Sequence, residues 1–422
     1  MFQTTVILGN QALNTKGDSI GSKIFTKTEI NSGFRFFLNN GRESLNTGLS
    51  ENTEERLNYN AYYNLFVNSW KFLGDRQESI NLSIGVGPLY STGETKRTTA
   101  NTITRFENKI YGLSFFGDLN YSGRFYYDDK NYALVEASGF GRFEKIKINS
   151  KGSFIPADGS FIVAFPVEEK YLDNRLRYGV NAKAGVGFGK MNPVNHIMEA
   201  EFLLNEYYKG RLFSQNEINR FASVIAGIRN KRRLKESHSA ESELKDVMDF
   251  LGKELLFQVP DSPEELWKYG EFMPRFSGKR FELGPLFKYY NREPDFIYGG
   301  FAKYEIHTYK NFNWNFNFSS ELSYNRYKER DWFLWDTDMQ FEYFKNLRTK
   351  YTFGVKYIPA VVVNDFKDIE SIQHALIPYI SFYHQLSDKY RMAFDFRYKI
   401  TDENDFFIKG PGFSLAFYRS RY

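Results

Sequence analysis

Residues 311–327 read NFNWNFNFSSELSYNRY, with Phe312, Trp314, Phe316, Phe318, Leu322 and Tyr324 at even positions and mostly asparagine, serine or glutamate between them. Period-two alternation is the geometry of a strand whose two faces meet different surroundings. The pattern returns at 331–343, where Phe333, Trp335, Met339, Phe341 and Tyr343 oppose Asp336, Asp338, Gln340 and Glu342. It recurs at 348–357, with Tyr351, Phe353, Val355 and Tyr357 against Lys350 and Lys356, and at 390–399, with Tyr390, Phe394 and Phe396 against Arg391, Asp395, Arg397 and Lys399. Each run spans about ten residues or more, the length that a tilted strand needs to cross a bilayer.

A soluble sandwich also alternates, but its strands average about five or six residues. Composition separates the two cases. The chain carries 43 Phe, 30 Tyr and 5 Trp, 18% aromatic in all, while its mean hydropathy is −0.52. Many rings in a chain that is not hydrophobic on average suit strands with one face in lipid and the other in water. No stretch approaches the roughly 18 apolar residues of a membrane-spanning helix, so any crossing is made by strands. The chain has no cysteine, which excludes disulfide frameworks, thiolate metal sites and cysteine nucleophiles and fits an oxidising periplasm. The net charge of +5, with 25% charged residues, is too balanced to imply nucleic acid. Met1-Phe2-Gln3 opens no basic or apolar leader, so an exported protein of this sequence would be the mature form.

Strands are expected near 22–38, 57–71, 78–92, 107–127, 131–147 and 174–190, and again near 275–290, 296–309, 311–327, 331–345, 347–360, 371–386, 388–400 and 407–421. Connections alternate between tight and long, the asymmetry of barrels with short periplasmic turns and longer external loops. The longest, at 39–56, 93–106 and 148–173, all fall on one side. The expectation is therefore an all-β membrane protein, a single antiparallel up-and-down barrel of about 14 strands with both termini in the periplasm. Residues 1–190 supply its first part and 273–422 its second.

Residues 191–272 break the period and become helical. Asn192-Pro193 suggests a helix start before VNHIMEAEFLLNEYY, Ser214 and Glu217 form a capping box, Leu244, Val247, Met248, Leu251 and Leu255 make an apolar stripe, and Ser262-Pro263-Glu264-Glu265 opens a fourth helix. Strand counting puts this insert in the periplasm, where it would gate the barrel or dock an envelope protein. Its basic cluster, Arg229, Lys231, Arg232, Arg233 and Lys235, is the candidate docking patch, against the blander reading of a solvated inter-helix turn.

Catalytic and cofactor motifs are not evident. His196, His238, His307, His374 and His384 have no metal-ligand spacing, and the glycines of AGVGFGKMN at 184–192 lack the Gly-Lys-Ser/Thr ending of a phosphate loop. Those glycines are read as thinning a barrel wall where the insert approaches. No enzyme activity and no cofactor are expected. The inward positions of the last eight strands, Asn313, Asn315, Asn317, Glu321, Asp336, Asp338, Lys350, Lys356, Arg391 and Arg397 among them, mix both signs. That mixture suggests cross-lumen ion pairs and a narrow interior without a single-signed ladder, and the asparagines would meet water or sugar hydroxyls.

Taken together, the alternating strands, the turn asymmetry and the aromatic C-terminal run GFSLAFYRSRY resemble bacterial outer-membrane transmembrane β-barrels, with a composition similar to that of Bacteroidota proteins. The match of Tyr422 to their terminal aromatic is imperfect, because Phe413, Leu415 and Phe417 share a parity that Tyr422 does not. The resemblance implies an outer-membrane location, contact with outer-membrane lipid and lipopolysaccharide, and transport or export of a polar solute or polymer. The alternative is a non-conducting structural or surface-binding subunit of an envelope complex.

Overall fold

The computed structural model describes residues 24–46, 50–99, 102–156, 165–232, 240–253, 263–269, 274–292, 295–364, 368–401 and 409–421. The first six strands are β1 (Phe25–Asn46), β2 (Ser50–Phe72), β3 (Arg76–Thr99), β4 (Thr102–Tyr126), β5 (Asn131–Pro156) and β6 (Phe165–Pro193). After four helices come β7 (Phe276–Tyr290), β8 (Phe296–Tyr309), β9 (Trp314–Tyr327), β10 (Arg330–Asn346), β11 (Thr349–Asn364), β12 (Ile369–Gln385), β13 (Tyr390–Thr401) and β14 (Gly410–Arg421). Each strand pairs antiparallel with its neighbour in sequence, and β14 returns to β1 from Ile30↔Arg421 to Asn39↔Gly412. The sheet thereby closes on itself, and its backbone hydrogen bonds are satisfied within the barrel.

The two faces differ as the alternation requires. Phe34, Leu65, Ile84, Phe115, Val180, Phe287, Trp335 and Phe341 stand exposed on the outside. Inside, Asn31, Asn64, Gln77, Arg124, Glu282, Glu305 and Glu342 are buried. On β9 the even residues Trp314, Leu322 and Tyr324 are exposed and the odd residues Asn315 and Asn325 are buried. So extended a belt of rings and aliphatic groups is matched to hydrocarbon rather than water.

The stretches 39–56, 93–106 and 148–173, expected as loops, are mostly continuations of the strands. Pairing persists from Asn39↔Asn58 to Asn46↔Glu51, from Gly93↔Asn108 to Thr99↔Thr102, and from Ile148↔Tyr171 to Phe154↔Phe165. The period-two alternation fades in the sequence there although the backbone ladder continues.

The helices are α1 (Asn195–Tyr207), α2 (Gln215–Arg229), α3 (Ala240–Lys253) and α4 (Glu264–Trp267). Pro193 ends β6 instead of opening α1, which begins after Val194 without a side-chain cap. The capping box of α2 forms: Ser214 Oγ accepts from the Glu217 amide at 3.3 Å, and the Glu217 carboxylate accepts from the Ser214 amide at 2.8 Å. The apolar faces meet in a core of Leu203, Leu204, Phe221, Ile225, Val247, Leu251 and Trp267. Leu255 and Tyr422 lie outside the described residues.

Candidate functional site

β6 ends and β7 begins at the same end of the barrel as residues 24 and 421, so the insert hangs from that rim. Its core does not stop at the helices. Phe312 in the β8–β9 turn, Phe344 near the end of β10 and Leu347 in the β10–β11 turn are buried in the same cluster. Phe202 of α1 lies 4.6 Å from the Phe312 ring, centroid to centroid. Arg275, just before β7, sits 3.7 Å over the Phe344 ring and donates to the Phe312 carbonyl at 3.1 Å. On β1, the Asn230 amide accepts from the Thr26 backbone N–H and donates to the Ile24 carbonyl, both at 2.8 Å. Tyr309 donates to Glu201, and Arg348 lies 4.3 Å over the Tyr269 ring. Contacts at β1, at the start of β7, at the β8–β9 and β10–β11 turns and at the end of β10 seat the insert on one mouth as a cover rather than an appendage. Just inside it, Phe25, Trp70, Phe72 and Phe276 form a buried aromatic cluster, with His196 of α1 5.8 Å from Phe25 and His307 6.1 Å from Phe276.

The expected docking cluster divides differently. The Arg229 side chain is 2% exposed; it donates to Glu199 at 2.5 Å and to the Trp267 carbonyl at 2.8 Å, with its guanidinium 3.9 Å over the Trp267 ring. Arg232 pairs with Glu243 at 2.6 Å. These two arginines therefore tie the helices together. Lys231 is exposed, while Arg233 and Lys235 lie outside the described residues. Burial alone would raise the Glu243 carboxyl, but Arg232, Arg229 and the Trp267 N–H hold it below the usual carboxylate range.

Above the insert, ion pairs cross the interior. Arg124 on β4 meets Glu282 on β7 at 2.5 Å and Glu136 on β5 at 2.9 Å. Arg280 joins Glu282 at 3.4 Å and also Glu305, which Lys303 reaches at 3.0 Å. Glu29 pairs with Lys27 and Arg391, each at 3.1 Å. Glu342 takes Lys350 at 2.9 Å together with the amides of Asn315 at 3.0 Å and Asn317 at 3.2 Å. Asn313 donates to the Phe344 carbonyl at 2.7 Å. The asparagine ladder thus positions a buried carboxylate and a turn. Further along, Lys183 pairs with Glu321 at 2.6 Å, Lys356 with Asp336 at 2.6 Å, and Tyr379 donates to Asp338 at 2.8 Å. Arg397 lies over Gly412.

Charge is sorted by depth, which pooling the inward positions of eight strands hides. The buried carboxylates Glu29, Glu282, Glu305 and Glu342 all lie within six residues of the helix-bearing ends of their strands. Arg35, Arg142, Arg177, Lys288 and Arg330 lie ten or more residues from those ends. They line a cavity of 1280 Å³ toward the far mouth, whose lining also includes Arg292 and a single carboxylate, Asp118. This lining is predominantly basic, where the sequence expectation for the last eight strands was of mixed sign, and Arg330 in it pairs with Glu370 at 2.6 Å. Its arginines on β1, β5 and β6 lie outside the eight strands on which that expectation rested.

The glycines of 184–192 have a local role. A Cβ on Gly187 would lie 2.3 Å from the Tyr132 ring, whose hydroxyl donates to Glu282 at 2.9 Å. Gly187 makes room for that ring rather than for the insert. His374 stacks on Tyr357 and His384 on Phe382, while His238 lies outside the described residues. The cross-barrel pairs went unread in the sequence because Arg124 and Glu282 are 158 positions apart.

No family model matches the chain, and no curated protein matches it. Among solved structures, the translocator domain of the autotransporter NalP from Neisseria meningitidis overlays at TM-score 0.31 with 6% identity, covering 94% of this chain and 89% of that one. The transport unit of the autotransporter AIDA-I from Escherichia coli overlays at 0.29 with 13% identity, covering 99% and 94%. The outer-membrane protease OmpT from Escherichia coli overlays at 0.28 with 10% identity, covering 93% of each. Closed through β1 and β14, apolar outside and polar within, this protein is a fourteen-stranded transmembrane β-barrel of the outer-membrane type, covered at one mouth by helices.

Proposed function

We propose that the protein is an outer-membrane transport or export barrel whose periplasmic mouth is closed at rest by residues 191–272. The observation that carries this reading is the shared core: Phe202 against Phe312, and Arg275 over Phe344, pack the insert onto the barrel rim. An ordinary diffusion pore keeps its periplasmic turns short, whereas a folded cover at the mouth suits a passage that opens on demand. The described chain ends, residues 24 and 421, lie on the covered side, and opening follows engagement of the insert's outward face by a periplasmic or envelope partner. Leu212, 96% exposed between α1 and α2, belongs to that face.

Single-channel recording in planar bilayers tests the reading. Wild type should rest closed, and a variant lacking 196–272 should carry steady current. Silence from both would sink it. A second reading, a non-conducting subunit of an envelope complex, draws on the buried Arg124–Glu282–Arg280–Glu305 network, which fills part of the interior. It expects silence from both proteins.

A further inference from the structure

The cavity of 1280 Å³ toward the far mouth is larger than the roughly 300–1,000 Å³ of a typical small-molecule site, so it has room for a short oligomer. Among the described residues its lining carries six basic side chains against the single carboxylate of Asp118, and of the six Arg330 also pairs with Glu370 at 2.6 Å. In the tier below, by contrast, each buried carboxylate has its own cation. Like charges gathered in a walled space repel one another and concentrate anions.

The walls also carry rings and amides. Arg35 sits 4.5 Å over the Phe37 ring, Phe37 lies 5.9 Å from Tyr62, and Tyr62 lies 5.0 Å from Phe116. On the facing wall, Phe140 lies 6.1 Å from Tyr290. Between the ring groups, Asn120 and Ser138 present hydrogen-bonding groups, while the buried Asn325 amide is taken up by Lys288 at 2.8 Å and Ser323 at 3.1 Å. A ligand matched to this combination has anionic groups for the guanidinium forks, apolar C–H faces for the rings, and hydroxyls for the amides.

We infer that this cavity binds an acidic oligosaccharide, a sugar chain bearing carboxylate or sulfate groups, on its way through the barrel. The inference rests on the transport reading and names its class of solute. Single-stranded nucleic acid also pairs rings with cations, but the amide and hydroxyl walls favour a polyhydroxyl chain.

Isothermal titration of the full chain, folded in detergent at low salt, tests this with tetragalacturonate, maltotetraose and a tetrathymidylate as probes. Tetragalacturonate should bind at least tenfold more tightly than the other two and weaken as salt rises. Arg142→Gln, at an exposed position in the cavity, should lower the tetragalacturonate affinity several-fold and leave maltotetraose unchanged. Phe140→Ala should weaken both sugars. Equal affinity for the acidic and neutral sugars, preference for tetrathymidylate, or no heat from any probe overturns the inference. Binding is read at equilibrium and needs no conduction, so a silent barrel that binds tetragalacturonate would sink the transport reading alone, and a conducting barrel that does not bind would sink this one alone.

Discussion

Arg229 of α2 donates to Glu199 of α1 at 2.5 Å, with both side chains 2% exposed and the Trp267 ring 3.9 Å beneath the guanidinium. With Glu243 of α3 3.8 Å away as well, one cation joins all four helices. Arg229→Ala would leave Glu199 buried without its counter-charge, a loss of about 3–5 kcal/mol. The insert should become protease-sensitive while the barrel keeps its heat-modifiable mobility on gels.

Acid should loosen the same domain through Glu243, whose carboxyl Arg232, Arg229 and Trp267 hold below the usual range. A depressed folded-state value means stability that is present above the ordinary glutamate value of about 4.3 and lost as pH falls through the folded one. Hydrogen exchange at α3 should accelerate as pH falls below that ordinary value, after correction for intrinsic rates, and Glu243→Gln should flatten the dependence.

Phe202 and Phe312 are the most direct tie between insert and rim, 4.6 Å apart. Removing a buried ring costs about 3–5 kcal/mol. Phe202→Ala should therefore convert a closed channel into one with frequent brief openings in bilayer recordings, and a current trace identical to wild type would count against the cover as a gate.

Phe316 faces lipid on β9 and packs 5.0 Å from Phe341. Phe316→Arg should hinder membrane assembly by about 2–4 kcal/mol at mid-bilayer depth. Urea titration of the folded fraction in vesicles reads the difference, and an unchanged midpoint would contradict the assigned face.

Gly187→Ala would press a methyl group against the fully buried Tyr132 ring, at 2.3 Å from its nearest carbon. Displacing that ring also withdraws its hydroxyl from Glu282. A loss of about 1–3 kcal/mol is expected, read as a lower temperature for loss of heat-modifiable mobility.

These residues also mark what a sequence reader can and cannot see. Phe316 is legible because the contrast between lipid and water repeats every second residue along one strand. Glu43 and Glu54 face each other across β1 and β2, where a polar stretch had suggested a loop. Both alternate positions there are mostly polar in sequence, and the contrast disappears. Arg229 looked like surface charge because its partner is 30 positions away on another helix. Gly187 showed that a side chain was unwelcome, but not that Tyr132 was the reason. The cationic cavity was missed because it is assembled from arginines on strands far apart in the chain.

The insert leaves β6 and returns on β7, and these two strands are direct neighbours, paired from Gly179↔Tyr290 to Pro193↔Phe276. The sheet's ladder therefore runs unbroken past the junction. A domain spliced in between adjacent strands can be lengthened, shortened or exchanged without altering the circumference of the barrel. The circumference is thus set by the fourteen strands alone, and the helices between the sixth and seventh add nothing to it.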